Sequence, residues 1–188
     1  NPAAKEQLAR FRSMVALFQK YGAQYGFDYL LLGAQAYQES GLDQSRRSKV
    51  GAIGVMQVMP KTASDPNVGI TGIDRLEPNI QAGTKYMRFM MDRYFKGEPM
   101  DSLNRALFAF ASYNAGPARI ARLRVKARDR GLDPHVWFNN VEIVAAEDIG
   151  SETVSYVRNI YKYYVAYSLV VQHDAARRGA VGAKQGSR

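Results

Sequence analysis

An apolar run that ends on a carboxylate sets the first constraint on this chain. Asp28 is placed to cap a helix over Tyr29 to Ser40, and Gly41 to stop it. An Asp side chain accepts the free amides of a first helical turn, and glycine takes the left-handed step that follows a last one. Leu30, Leu31, Leu32, Ala34 and Ala36 make this helix apolar almost all round. Such a helix belongs at the centre of a core. Glu39 lies in its last turn. Loss of hydration there disfavours the charged form, and the partial negative charge of the helix C-terminus pushes the same way. Both effects suit an acid that must be protonated near neutrality to donate to a leaving oxygen. The competing reading is a surface glutamate on the exposed side of the turn, since most glutamates are exposed.

The remaining chain supplies helices to surround that one. Leu8, Phe11, Val15 and Phe18 recur at helical steps, which predicts a helix over about residues 4–25. Pro78 fits the first turn of another, carrying Ile80, Tyr86, Met87, Met90 and Tyr94 to about Phe95. Ser102 is read as the cap of the next, with Leu103, Ala106, Leu107 and Phe110 inside. Pro117 opens one that ends near Gly131. Ser151 caps a long last helix with Val154, Val157, Tyr161, Tyr164, Val165 and Ser168 along one side. Residues 41–58 read as irregular, Pro60 as the start of a short helix, and Asp65-Pro66-Asn67 as a loop. No sustained alternation of polar and apolar residues occurs, so the fold class is all-α with at most a minor β element. At 188 residues and 46% apolar content the chain can bury one good core. The organisation expected is an N-terminal helix (1–26) packing on a catalytic domain (27–174), followed by a flexible basic tail (175–188).

Composition narrows the chemistry. With no cysteine there is no disulfide, thiol nucleophile or Cys-ligated zinc. His135 and His173 are too far apart and too unaccompanied to suggest a metal site. The net charge of +9 suits an anionic partner or surface, with ordinary solvated basic faces as the alternative. Its basic residues are dispersed, without a dense stripe or a nucleic-acid motif, so nucleic acid is not expected. No apolar run approaches the ~18 residues of a membrane span. The start at Asn1-Pro2-Ala3-Ala4 has no export signal, and the chain reads as a module cut from a longer protein.

Three further segments carry chemistry. Gly54-Val55-Met56-Gln57-Val58-Met59 returns the chain toward the end of the Glu39 helix, combining permissive glycine, adaptable methionine walls and an amide that both donates and accepts. A sugar needs that mix, although a Met-Gln pair alone is more often packing. Ser112-Tyr113-Asn114-Ala115-Gly116 reads either as a site segment or as a plain helix C-terminus. Glu152 and Tyr156 share one helix face, with a dipole-favoured N-terminal Glu as the alternative. The tyrosines at 161, 163, 164 and 167 read as packing.

Taken in order, Glu39-Ser40, Gly-X-Met-Gln at 54–57, Ser-Tyr-Asn-Ala-Gly at 112–116 and Glu-Thr-X-X-Tyr-Val at 152–157 resemble the lysozyme-like family 1 lytic transglycosylases from about Phe27 to Tyr167. The resemblance implies cleavage of peptidoglycan between N-acetylmuramic acid and N-acetylglucosamine without water, leaving 1,6-anhydro ends. It implies Glu39 as acid and then base, with no metal or organic cofactor needed. Ser48 would contact the acetamide or the catalytic carboxyl, and Met56, Gln57 and Met59 would wall the central sugar subsites. Tyr113 and Asn114 would flank Glu39, with Glu152 and Tyr156 as saccharide contacts. Tyr113 is further expected to hold the Glu39 carboxyl through its hydroxyl. The partners implied are glycan strands and muropeptides, in the periplasm of a Gram-negative envelope at the outer membrane. The likeness extends to envelope-bound members that carry an N-terminal module like a solute-binding protein, and nothing in this sequence resembles such a module. Two departures are mild: Val55 stands for a common Leu, and Ile149-Gly150 for a Pro-containing approach to Glu152. Rival readings are a hydrolytic goose-type lysozyme using Asp43 or Asp65 to hold water, a non-catalytic peptidoglycan-binding module, and a basic nucleic-acid binder.

Overall fold

The computed structural model describes residues 2–185. Its helices are α1 (Pro2–Tyr25), α2 (Tyr29–Ser40), α3 (Pro60–Ser64), α4 (Leu76–Tyr94), α5 (Ser102–Ala115), α6 (Pro117–Asp129), α7 (Glu142–Ile149) and α8 (Ser151–Gln185). Among the described residues β structure amounts to two isolated bridges, Arg47 to Ile53 and Ile53 to Val58. The minor β element therefore shrinks to a pinched loop.

α2 is the central helix. Asp28 Oδ1 accepts the amides of Leu30 and Leu31 at 2.7 and 3.4 Å, and Gly41, at φ 67°, returns its N–H to the Tyr37 carbonyl. Every residue from Leu30 to Ala36 is buried. α8 and α1 clasp it, while α4 and α5 complete the shell. Phe18, Leu32, Ile80, Met87, Met90, Phe108, Phe110, Val157 and Ile160 are fully enclosed. At ~25 cal/mol per Å² of apolar surface removed from water, this shared interior is the main force fixing α2 in place.

The loop between α2 and α3 is irregular but tightly held. Asn79 on α4 accepts the Met56 amide at 2.9 Å and donates to the carbonyls of Ile53 and Ile73 at 2.7 and 2.8 Å. Gln44 accepts the Val55 amide at 3.0 Å and donates to Ile73 and Asp74. Ser40 donates to the Val55 carbonyl at 2.8 Å. Gly54, at φ +78°, sits where a Cβ would come within 2.5 Å of both the Asn79 and the Gln44 amides, so only glycine fits this crossing. The segment is irregular, as its sequence suggested, and side-chain amides substitute for regular backbone pairing.

The structure differs from the sequence reading in three places. Asp101, not Ser102, caps α5, accepting the Asn104 amide at 2.7 Å. α7 was not expected; it is short, lacks a side-chain cap, and follows a turn in which Asn139 is left-handed at φ 59°. The tail expected to be flexible from residue 175 continues α8 to Gln185, and residues 186–188 lie outside the described ones. Ala175, Ala176, Arg177, Arg178 and Ala180 are strong helix formers that outweigh Gly179 and Gly182. A 2.7 Å ion pair from Arg12 to Asp174 ties this stretch to α1.

Candidate active site

Glu39 stands at the open end of α2, where the apolar helix meets the loop. Its carboxyl receives the Tyr156 hydroxyl from α8 at 2.5 Å. Burial pushes its pKa up to about 7, against the smaller opposing effect of that hydrogen bond. None of the ion pairs found among the described residues supplies it with a cation. The result is a carboxyl close to half-protonated at neutral pH, able to give up a proton and to take one back.

Two tyrosines, Tyr156 buried and Tyr113 partly buried, serve this acid differently. Tyr156 holds it directly; burial and the nearby Glu39 charge keep its own phenol firmly protonated. Tyr113, on α5, also lies near enough for the Glu39 charge to raise its pKa further, but its hydroxyl donates to the Met56 carbonyl at 2.6 Å. The expectation that Tyr113 holds the carboxyl is thus corrected. Tyr113 anchors the loop, with Tyr86 of α4 edge-on at 5.8 Å between ring centroids.

The other expected residues divide into supports and open groups. The Met56 side chain is fully enclosed, so it backs the site from the core and cannot itself face a sugar. Gln57, at φ 49°, folds its amide onto the Gly54 carbonyl at 2.8 Å and toward the Arg46 carbonyl, which commits its donor to loop geometry. Asn114 Oδ1 accepts the Thr153 hydroxyl at 2.7 Å and so joins the end of α5 to the start of α8. Ser48 Oγ accepts the Ala52 amide at 2.9 Å and keeps its own proton to donate. Met59 and Glu152 are exposed. Asp43 and Asp65 are occupied as acceptors of their own turns, from Ser45 and Asn67. Among the described residues no cluster of His, Asp and Glu could hold a metal ion.

Sequence reasoning missed Gln35 and Asn79, and quoted Ser40 and Thr153 only as motif members without a role. Gln35 had a visible signal: it is the one polar side chain in Leu30 to Ala36, four residues before Glu39 and hence on the same face. Asn79 had none, because its contacts join α4 to a loop far away in sequence. An apolar groove of about 710 Å³ between α1 and the end of α8, lined by Leu8, Val15, Val170 and Val181, contains none of these residues. Its one carboxylate, Asp174, is engaged by Arg12.

Comparisons with known proteins show the family. Residues 16–135 match the transglycosylase SLT domain. The membrane-bound lytic murein transglycosylase F of Desulfosudis oleivorans is 33% identical over 171 residues, covering 84% of this chain and 36% of that protein. Its namesake from Vibrio cholerae serotype O1 is 33% identical over 183 residues, covering 88% of this chain and 32% of the relative. The chain thus spans about a third of the length of these curated relatives. The 70 kDa soluble lytic transglycosylase of Escherichia coli superposes with a TM-score of 0.65 at 28% identity, over 83% of this chain and 24% of that one. An inactive mutant of the Pseudomonas aeruginosa lytic transglycosylase Slt shares the fold at a TM-score of 0.60 and 24% identity, over 84% of this chain and 24% of that one. Its all-α architecture is that of the lytic transglycosylases, and the chain belongs to the transglycosylase SLT domain family.

Proposed function

We propose that this chain is a peptidoglycan lytic transglycosylase, cleaving the MurNAc-β-1,4-GlcNAc bond and leaving 1,6-anhydro-MurNAc ends. The observation that carries the reading is Glu39: a carboxyl without a cation, held by Tyr156, with its pKa near 7. Protonated Glu39 gives its proton to the glycosidic oxygen as the bond breaks. The muramic acetamide oxygen bonds to the anomeric carbon, forming an oxazolinium-like intermediate. Glu39, now a carboxylate, takes the proton of the sugar's C6 hydroxyl as that oxygen displaces the acetamide. One carboxyl returns to its starting state, an exception to the two-carboxylate scheme of most glycosidases. Intramolecular closure gives the C6 hydroxyl a large proximity advantage over water.

The remaining residues fit supporting roles. The Ser48 hydroxyl proton suits the acetamide oxygen, and Met59 and Glu152 offer an apolar and a polar contact to sugar rings. The net charge of +9 suits a glycan bearing stem-peptide carboxylates. A site of action in a Gram-negative periplasm is in keeping with relatives named membrane-bound lytic murein transglycosylase F, and the additional length of those relatives leaves room for an accessory module. No helix among the described residues is long and apolar enough to cross a membrane. Digestion of purified sacculi with mass spectrometry of the products tests the reading. Anhydro-muropeptides are expected; products heavier by one water would indicate a lysozyme, and no product from folded protein a binding module.

A further inference from the structure

Gln35 is fully buried one helical turn before Glu39. Its Nε2 donates to the Tyr156 hydroxyl oxygen at 3.3 Å, and that hydroxyl in turn donates to Glu39 Oε1 at 2.5 Å. Gln35 Oε1 is enclosed with no hydrogen-bond partner among the described residues. A buried, unpaired amide oxygen normally costs stability, so its persistence beside an acid calls for an explanation.

We propose that Gln35 is a positioning residue for the acid/base, its side-chain amide directing the Tyr156 hydroxyl toward Glu39 when Glu39 is a carboxylate and accepting that hydroxyl when Glu39 is protonated. The inference rests on the reading of Glu39 as the proton-transferring group. An amide can fill both roles because it carries donors at one end and an acceptor at the other. In the base state the Gln35 N–H occupies the Tyr156 oxygen, so the phenolic proton points to the carboxylate. In the acid state the Glu39 proton points to the Tyr156 oxygen, and the phenolic proton needs an acceptor. A half-turn of the Gln35 amide supplies one, the oxygen that is otherwise idle. Each state then has an unbroken chain of donors and acceptors.

Other groups around the triad do not compete for this role. Tyr113 of α5 faces Glu39 but is committed to the Met56 carbonyl, and Tyr86 of α4 faces Tyr113. On α8, Tyr163 packs edge-on against Tyr37 of α2, and Tyr167 stacks on Phe11 of α1. Arg10 of α1 reaches the Gly41 carbonyl, and Asp43 of the loop is held by Ser45. Donation into the Tyr156 oxygen makes its O–H a better donor to the carboxylate, which lowers the Glu39 pKa against the burial that raises it to about 7.

Gln35→Met keeps volume and removes both polar ends. The experiment is a carboxyl titration of the full chain by isotope-edited NMR, with the Glu39 signal assigned by its loss in Glu39→Gln, beside pH profiles of kcat and KM on peptidoglycan. Because a charge-assisted bond to the carboxylate is stronger than its neutral counterpart, the carboxylate loses more than the acid does, and the proposal expects the Glu39 midpoint to rise by about half a pH unit or more. It also expects the alkaline limb of kcat to move up with it, and kcat at the optimum to fall several-fold with KM within twofold. Unchanged thermal stability or a gain supports it as well, since an unpaired oxygen is removed. A Glu39 midpoint and a kcat profile that stay put in Gln35→Met overturn the proposal while leaving the acid/base reading intact. Full activity in Glu39→Gln overturns that reading, and the positioning role of Gln35 with it, whatever the titration shows.

Discussion

Glu39 and Glu98 both lie against the aromatic interior, yet their surroundings push them in opposite directions. Glu98 meets the buried Arg124 guanidinium at 2.8 Å, with His135 Nδ1 at 3.4 Å. Arg124 also donates to the Pro134 carbonyl at 2.7 Å and lies 5.2 and 5.4 Å from the ring centroids of Phe95 and Phe108. Its hydrogen bond is the chief cause that lowers the Glu98 pKa. Glu39 receives only a neutral phenol, and burial raises it to about 7. An acid given a cation stays ionised and fastens helices together. An acid given only neutral donors keeps a transferable proton. The contrast lies in burial and partner together: Glu39 is the more deeply buried and has only a phenol beside it, whereas the more exposed Glu98 has a guanidinium.

The largest expected effect breaks the first half of this contrast. Glu39→Gln should lower turnover of peptidoglycan at least ~100-fold, the usual worth of general acid–base catalysis. Its stability should hold or improve at neutral pH. Glu39 is raised from its ordinary 4.5 to about 7 on folding, so the native state binds a proton through that window and the unfolded state does not. Stability is then full below about 4.5 and declines as pH rises to about 7, by up to ~3 kcal/mol. The lowered Glu98 contributes with the opposite sign: its stabilisation is present above the ordinary value and lost as pH falls through the lowered one. Urea midpoints measured across pH 4 to 8 should show the decline in the wild type and not in Glu39→Gln. A decline that persists in the variant would assign it to another group.

Arg124→Met tests the second half. Removing the buried cation should cost ~2 kcal/mol, below the ~3–5 kcal/mol of a fully buried pair, because Glu98 is 36% exposed and rehydrates. Turnover should stay within about twofold of wild type when measured well below the unfolding midpoint. A large catalytic loss with little loss of stability would mean that this cluster serves the site.

The fold was legible where it depends on local pattern. The Asp28 cap, the apolar run and the Gly41 stop are adjacent in sequence, and each does in the structure what its chemistry suggests. Glu39 could be singled out for the same reason. What could not be read are the pairings across distance. Nothing local says that the Tyr113 hydroxyl goes to Met56 and the Tyr156 hydroxyl to Glu39, since this depends on how α5 and α8 approach α2. The loop gave a related difficulty. Its order comes from Asn79 and Gln44, whose amides substitute for a backbone ladder, and an amide's partner leaves no periodic trace. The end of α8 failed differently: glycines and charge suggested a tail, whereas alanine and arginine propensity and the Arg12–Asp174 pair carry the helix on.

Tyr156→Phe sharpens the contrast by leaving Glu39 with no donor from α8. Turnover should fall roughly tenfold, about 1.4 kcal/mol of lost positioning. The alkaline limb of the pH–rate profile should move upward, because the carboxylate form loses its one hydrogen bond from a side chain on α8. A profile that moves downward would mean that Tyr156 acts chiefly on the protonated form.

Tyr113→Phe is the smallest effect and separates the two tyrosines. The ring is kept, so the apolar shielding of Glu39 and the edge contact with Tyr86 persist. What is lost is the 2.6 Å bond to the Met56 carbonyl, which ties the loop to α5. That carbonyl becomes a buried acceptor without its partner, and the cost should be ~1 kcal/mol of stability. Turnover should drop no more than a few-fold, through slack in the loop that bears Ser48 and Met59. The Glu39 titration midpoint should hardly move, because the Tyr156 donor is intact. Denaturant midpoints, kcat and the carboxyl titration of the two Phe variants, measured side by side, decide it. If Tyr113→Phe moves the Glu39 midpoint as far as Tyr156→Phe does, both phenols hold the acid in solution and the division between holder and anchor fails.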